Sequence, residues 1–156
     1  AESLFTIGPG AKDAVPALGE CLKDEHPWVR AMVARALGRI GHSSAAAVPA
    51  LIETLKDPNA DVRHAAARAL VDAGAPASVA VPPLIEALKD PYAGVRQGAA
   101  HSLRKIGPAA KAAVPALEEA LKDENAIVRL VAADALRDIR AAATRAPATT
   151  HPKGKQ

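Results

Sequence analysis

Residues 48–63 read VPALIETLKDPNADVR, and this pattern stands four times in the chain. It occurs as VPALGECLKDEHPWVR at 15–30, as VPPLIEALKDPYAGVR at 81–96 and as VPALEEALKDENAIVR at 114–129. Each copy follows the last by 33 residues, with no insertion or deletion. The phase holds beyond the quoted stretch, since leucine recurs at 37, 70, 103 and 136 and glycine at 8, 41, 74 and 107. A fixed period of this length is the signature of a solenoid, in which each unit is one supersecondary motif stacked on the next.

Within a unit the apolar residues have helical spacing. Ala14, Leu18, Cys21 and Leu22 fall at i, i+4, i+7 and i+8, one stripe of a helix. Val29, Val33, Ala36, Leu37 and Ile40 form a second stripe. A short polar turn separates them, Asp-Glu-His-Pro in the first unit and Asp-Pro-Asn-Ala in the second. Each unit therefore reads as a helical hairpin. The recurrent glycine after the second helix is expected to form a left-handed C-terminal cap. Pro9 and Pro108 suit the first turn of the following helix, whereas the proline of each Val-Pro pair lies further in and is expected to kink or delay that helix. One hairpin cannot cover both of its stripes, so neighbours must stack.

Composition agrees with such a stack. Of 156 residues 49% are hydrophobic and only 2% aromatic, while alanine fills 39 positions. A core of small and aliphatic side chains suits closely packed helices better than a β-sandwich. A single cysteine excludes an internal disulfide framework and a four-thiolate zinc site. No apolar run approaches the roughly 18 residues of a membrane-spanning helix, and no basic-then-apolar leader opens the chain, which points to the cytoplasm and to no membrane partner. The formal net charge of +3 is unevenly placed. Residues 1–139 carry 16 Lys/Arg against 17 Asp/Glu, whereas residues 140–156 carry four cations and no acid. The repeating part is near neutral.

The expected organisation follows from the phase. Residues 1–8 are the end of a truncated preceding unit, because Ala1, Leu4, Ile7 and Gly8 align with Ala34, Leu37, Ile40 and Gly41. Four units then occupy 9–41, 42–74, 75–107 and 108–140, and residues 141–156 are a short helix extension with a disordered basic tail. The sequence thus reads as a piece of a larger protein. With an uncapped first unit, some end-to-end self-association is expected.

Within each unit a proline is followed eight residues later by Asp, then by Val-Arg five and six residues beyond. Pro16, Asp24, Val29 and Arg30 show the pattern, and Pro49, Asp57, Val62 and Arg63 repeat it. This resembles the HEAT repeat, and the short unit with an Ala-rich second helix is most similar to bacterial HEAT-like repeats of the phycobilisome-lyase type. The resemblance implies an all-α, right-handed α-solenoid of about four hairpins plus the partial one at the N-terminus. It also implies a structural ladder in which Asp24, Asp57, Asp90 and Asp123 bond with Arg30, Arg63, Arg96 and Arg129 in the same or the adjoining unit.

Candidate chemistry is sparse. His26, His42, His64, His101 and His151 have no i, i+4 pairing and no His-Glu-x-x-His run, so no metal is expected. The absence of any His-Glu dipeptide also disfavours the iron-dependent hydroxylase chemistry found among HEAT-like relatives. Cys21 shares its column with Thr54, Ala87 and Ala120 and is expected to be a buried structural thiol rather than a nucleophile. No triad-like or phosphate-cradling group is present, and neither a catalytic residue nor a cofactor is expected.

The remaining candidate is the second-helix face, which lines the concave side in HEAT-like arrays. Its outward rows are Ala31, His64, Gln97, Leu130; Arg35, Arg68, His101, Asp134; Gly38, Val71, Arg104, Arg137; and Arg39, Asp72, Lys105, Asp138. These rows vary while the packing columns stay constant, as expected of a recognition surface on a fixed scaffold. The residues expected to bind a partner are Arg35, His64, Arg68, Gln97, His101, Arg104, Lys105 and Arg137. The expected function is a non-enzymatic scaffold that binds another protein or a peptide through this face. An enzyme-associated module, such as a phycobilin-lyase-like subunit, is the alternative. Nucleic-acid phosphate binding comes third and is disfavoured, because acids intersperse the cations and Trp28 and Tyr92 fall at inter-helix turns.

Overall fold

The structure, a computed structural model, describes residues 13–141. The expectations for residues 1–8 and for the tail, and with them Gly8 and His151, lie outside this range. The elements run α1 (Val15–Cys21), α2 (Pro27–Ile40), a 3-10 segment η1 (Gly41–Ala47), α3 (Val48–Thr54) and α4 (Ala60–Asp72). They continue with α5 (Ala77–Ala87), α6 (Ala93–Ile106), a second 3-10 segment η2 (Gly107–Ala113), α7 (Val114–Ala120) and α8 (Ala126–Ala141).

Two layers result. The second helices α2, α4, α6 and α8 lie side by side, each packed on the next, and the first helices α1, α3, α5 and α7 pack back against them. The architecture is an α-solenoid with its core between the layers. The constant columns fill that core: Leu37, Leu70 and Leu103 from the second helices, Leu51, Leu84 and Leu117 from the first, and Val62, Val95 and Val128 at the inter-layer seam are all buried. Each buried leucine or valine contributes roughly 1.5–3 kcal/mol relative to exposure. Small residues set the helix spacing. A Cβ on Gly38 would stand 3.1 Å from Ala69 Cα, so this glycine lets α2 and α4 approach closely. Ser102, where α4 has Ala69, donates its hydroxyl to Ala67 O at 2.7 Å and links α6 to α4 through the core.

The repeated proline delays the first helix rather than bending it in two of the units. The chain leaves α2 and α6 through η1 and η2, and the α-helix begins only at Val48 or Val114. Pro49 and Pro115 therefore sit in a first turn, where the absent N–H has no intrahelical partner to lose. In the third unit α5 runs through Pro82 and Pro83. Ser44, in η1, donates to Leu37 O and Gly41 O, both at 2.7 Å, and so satisfies carbonyls at the end of α2.

Gly74 closes α4 as expected, with φ 87° and Ala75 N–H donating to Leu70 O at 3.3 Å, whereas the other two described glycine caps differ in detail from the left-handed form. Gly41 has φ 75° and ψ −148°, and Gly107 has φ 67° and ψ −138°. This region is closed to side-chain-bearing residues more strictly than the left-handed helical basin. The requirement for glycine is stronger than a simple cap demands.

Candidate functional site

The inter-helix turns carry a repeated polar assembly. In each unit the ladder aspartate first folds its own turn by accepting the backbone N–H two residues on. Asp24 accepts from His26 at 2.8 Å, Asp57 from Asn59 at 2.8 Å, Asp90 from Tyr92 at 2.9 Å and Asp123 from Asn125 at 2.8 Å. In the second and fourth units Asn59 and Asn125 then cap α4 and α8 through their side-chain oxygens.

The same carboxylates receive arginines from the preceding unit. Arg30 donates Nε and Nη2 to Asp57 at 2.6 and 2.9 Å, Arg63 to Asp90 at 2.7 and 3.0 Å, and Arg96 to Asp123 at 2.6 and 2.8 Å. These are fork-to-fork pairs, the strongest form of carboxylate recognition. Nη1 of each arginine turns back to its own unit, as where Arg63 reaches Asp57 O at 2.8 Å and Pro58 O at 3.1 Å. The link between units is thus side chain to side chain, and the link within a unit is side chain to backbone. Arg63 also lies over the Tyr92 ring, 5.4 Å from its centroid. At the ends of the described residues the pattern is incomplete. Among them the Asp24 carboxylate bonds only with His26, and Arg129 binds the carbonyls of Asp123 and Glu124 with no aspartate beyond.

Electrostatics follows from this geometry. At Asp57 and Asp90 burial pushes the carboxyl up, but the arginine fork, a backbone N–H and the charges of two arginines outweigh it and hold it below the usual range. At Asp123 the hydrogen bond from Arg96 is the largest cause, with the same net direction. Folded values below the unfolded one mean that stability is fully present above about pH 4, the ordinary aspartate value. It is lost as pH falls through the lowered folded values, because the unfolded chain then binds protons the folded chain refuses. Urea midpoints are therefore expected to stay level from neutral pH down to about pH 5 and to fall steeply below about pH 4. Midpoints that stay level at still lower pH would contradict a stabilising ladder.

The second-helix face is arranged differently from a uniform row of free cations. Arg104 donates Nε to Asp138 at 2.8 Å and also reaches Asp134, Arg137 pairs with Asp134 at 2.9 Å and with Asp138, and Lys105 pairs with Asp72 of the preceding unit. Three of the eight residues expected at a binding face are thereby engaged with neighbouring carboxylates. Arg35 and Arg68, equivalent positions one period apart, are exposed and have no hydrogen bond or ion pair among the described residues. His64 shares its Nδ1 with Gly94 O at 2.6 Å in the next unit, and a Cβ on Gly98 would come within 3.1 Å of that nitrogen. His101 is held below the usual imidazole value by burial and then by the charges of Arg68, Arg104 and Lys105, with Asp72 opposing. Gln97 is half-buried beside them.

Several positions fall elsewhere than the sequence suggested. Ala31 is only 5% exposed and belongs to the core, not to an outward row. Cys21 is exposed, not buried. Its column mate Thr54 lines a groove with Leu22 and Lys23 of the preceding unit, whereas Cys21 has no such earlier helix against it among the described residues. Trp28, 60% exposed, lies inside the first turn of α2 and borders a groove with Met32 and Arg35. Its place on the face was legible in the i, i+4, i+7 spacing of those three residues. Among the described residues no three metal-ligating side chains converge, and no helix is long and apolar enough to cross a membrane.

The model of one protein family, described as HEAT repeats, matches residues 1–70 and 48–137. The chain belongs to the HEAT-repeat family. This HEAT array is similar to a chain in the complex of CpcE and CpcF of phycocyanin lyase from Nostoc sp. PCC7120. The two share 31% identity with a TM-score of 0.69, over 81% of the array and 53% of that chain. It is also similar to an engineered protein at 26% identity and TM-score 0.66, covering 82% of the array and 64% of that chain. A designed armadillo repeat protein in complex with a (KR)4 peptide, at 19% identity and TM-score 0.63, shares the fold, with coverage of 85% and 69%. The array spans about half the length of the lyase-complex chain. No curated protein matches it.

Proposed function

We propose that this HEAT array is a non-catalytic scaffold that binds a protein or an extended peptide along its second-helix face. The observation that carries the reading is the contrast between Arg35 and Arg68, exposed on that face and unpaired among the described residues, and the ladder arginines, whose forks are filled by the fold itself. Cations that the fold does not use remain available to a partner. Apart from Asp24, which is bonded to His26, the groups with displaced pKa values lie in Arg–Asp contacts or, for His101, beside arginines, an arrangement suited to holding units together.

Selection of random peptides displayed against the array tests this reading. Binders are expected to lose affinity when Gln97 and His101 are changed to Glu, and to be indifferent to Glu53→Ala and Glu86→Ala on the first helices. Binders that respond only to the first-helix changes would move the site to the other layer.

A second reading rests on the likeness to the phycocyanin lyase complex. In it the array is an enzyme-associated module of the phycobilin-lyase type. Co-expression with a bilin-producing system would then yield a preparation with a tetrapyrrole absorption band, and a colourless product would count against it.

A further inference from the structure

Two sets of cations on the second-helix face differ in their ion pairs among the described residues. Arg104, Lys105 and Arg137 in the later units are paired with Asp138, Asp72 and Asp134. In the first two units, Arg35 and Arg68 flank a groove of about 430 Å³ with His64 on its wall and Gly38, Ala65 and Ala69 among its lining residues. Small residues keep this groove shallow and open between two long guanidinium stems. Asp72, the carboxylate that also borders it, is engaged by Lys105. Positive charge already makes itself felt at the neighbouring His101, where Arg68 is the largest contributor after burial.

From this arrangement we infer that the groove between α2 and α4 is an acidic-peptide site, in which Arg35 and Arg68 each take one carboxylate of an extended segment. The inference rests on the scaffold reading above and specifies its ligand. Packed helices lie about 8–10 Å apart and an extended chain advances about 3.3 Å per residue, so the two carboxylates come from residues two or three positions apart. Guanidinium groups suit this task because their planar forks match a carboxylate in two hydrogen bonds. At the first-unit end the groove adjoins a second one lined by Trp28, Met32 and Arg35, which favours an apolar side chain next to the acidic pair. Asp61 lines that second groove without pairing to Arg35 and sets a limit there, since it repels a carboxylate placed beside Trp28.

Trp28 is the single tryptophan of the chain and reports binding directly. A synthetic peptide with Glu at alternate positions and one Leu, titrated into the full chain, is expected to change Trp28 emission. A peptide with Lys in place of Glu is expected not to. Arg35→Glu/Arg68→Glu should weaken binding at least about tenfold while leaving the helical circular dichroism unchanged. Asp61→Asn should strengthen it a few fold, a gain that damage to the fold cannot mimic. Higher salt should weaken it, because exposed charges are screened beyond about 8 Å at physiological ionic strength. Three results would overturn the proposal: acidic-peptide affinity unchanged in the double variant, tighter binding of the Lys peptide, or a single-stranded oligonucleotide that outcompetes the peptide for the two arginines. If displayed peptides bind the second-helix face but are neutral or basic, the acidic specificity fails and the scaffold reading survives. If none binds that face, both fail.

Discussion

Replacing Asp90 with Ala is expected to destabilise the protein by about 3–5 kcal/mol, the cost of stripping one partner from a buried ion pair. The side chains of Arg63 and Asp90 are 11% and 10% exposed, so neither is rescued by bulk water. Without Asp90 the Nε and Nη2 donors of Arg63 lose both acceptors, and only the Nη1 contacts to Asp57 O and Pro58 O persist. The turn also loses the acceptor for Tyr92 N–H, just where α6 begins. Asp24→Ala provides the comparison. It removes the same turn contact at His26 but no arginine pair, and should cost far less than Asp90→Ala, since only a helix-entry hydrogen bond is lost. Paired substitution of Arg63 by Met and Asp90 by Leu should recover much of the loss, because what costs most is the unpaired charge. Urea unfolding at pH 7 followed by circular dichroism measures all three. Equal losses in the two aspartate variants would show that the turn, and not the arginine, holds the units together.

Leu70→Ala is expected to cost about 3 kcal/mol, within the usual 2–5 kcal/mol for a leucine deleted from a packed core. At about 3 °C per kcal/mol for a chain of this size, the melting temperature should fall roughly 10 °C. Leu70 is fully buried on α4, which packs on both α2 and α6. A solenoid passes stability only between nearest neighbours, so a lesion in this central unit should also broaden the transition as the two flanks uncouple. Leu136→Ala, at the same position on α8, has a packed second-helix neighbour on one side only among the described residues, and should cost less. Similar losses and equally sharp transitions for both variants would argue that the array unfolds as one block.

The fold was legible because identical columns carry identical physics. Leucine at 37, 70 and 103 and valine at 62, 95 and 128 face the same seam in every unit, and the period announces it without any appeal to local propensity. The ladder residues were legible only through the family resemblance. Spacing alone does not say that Arg30 passes over its own Asp24 carboxylate to reach Asp57, a choice set by how one turn overhangs the next. The face was the least legible part. Ala31 and Leu130 share a column, yet one is buried and the other exposed, because burial there depends on the side chains of the adjoining helix and not on phase. Likewise, Arg104 and Arg68 look alike in sequence, but of the two only Arg104 pairs with aspartates among the described residues, on α8. Cys21 failed for a related reason. A column predicts burial only where a neighbouring helix stands against it, and at Cys21 none does among the described residues.

The register of the Arg–Asp pairs has a consequence for how such a chain could change length. Among the described residues each of these pairs joins residues 27 apart across a junction, and the pair is made alike at all three. Excising one period between two pairs, or copying one in, brings an Arg of the same type opposite an Asp of the same type and returns the original contacts. The protein is in this sense written in interchangeable words. Its reach can be edited by duplication or deletion in steps of 33 residues, while the variable positions on the second helices change what each word says.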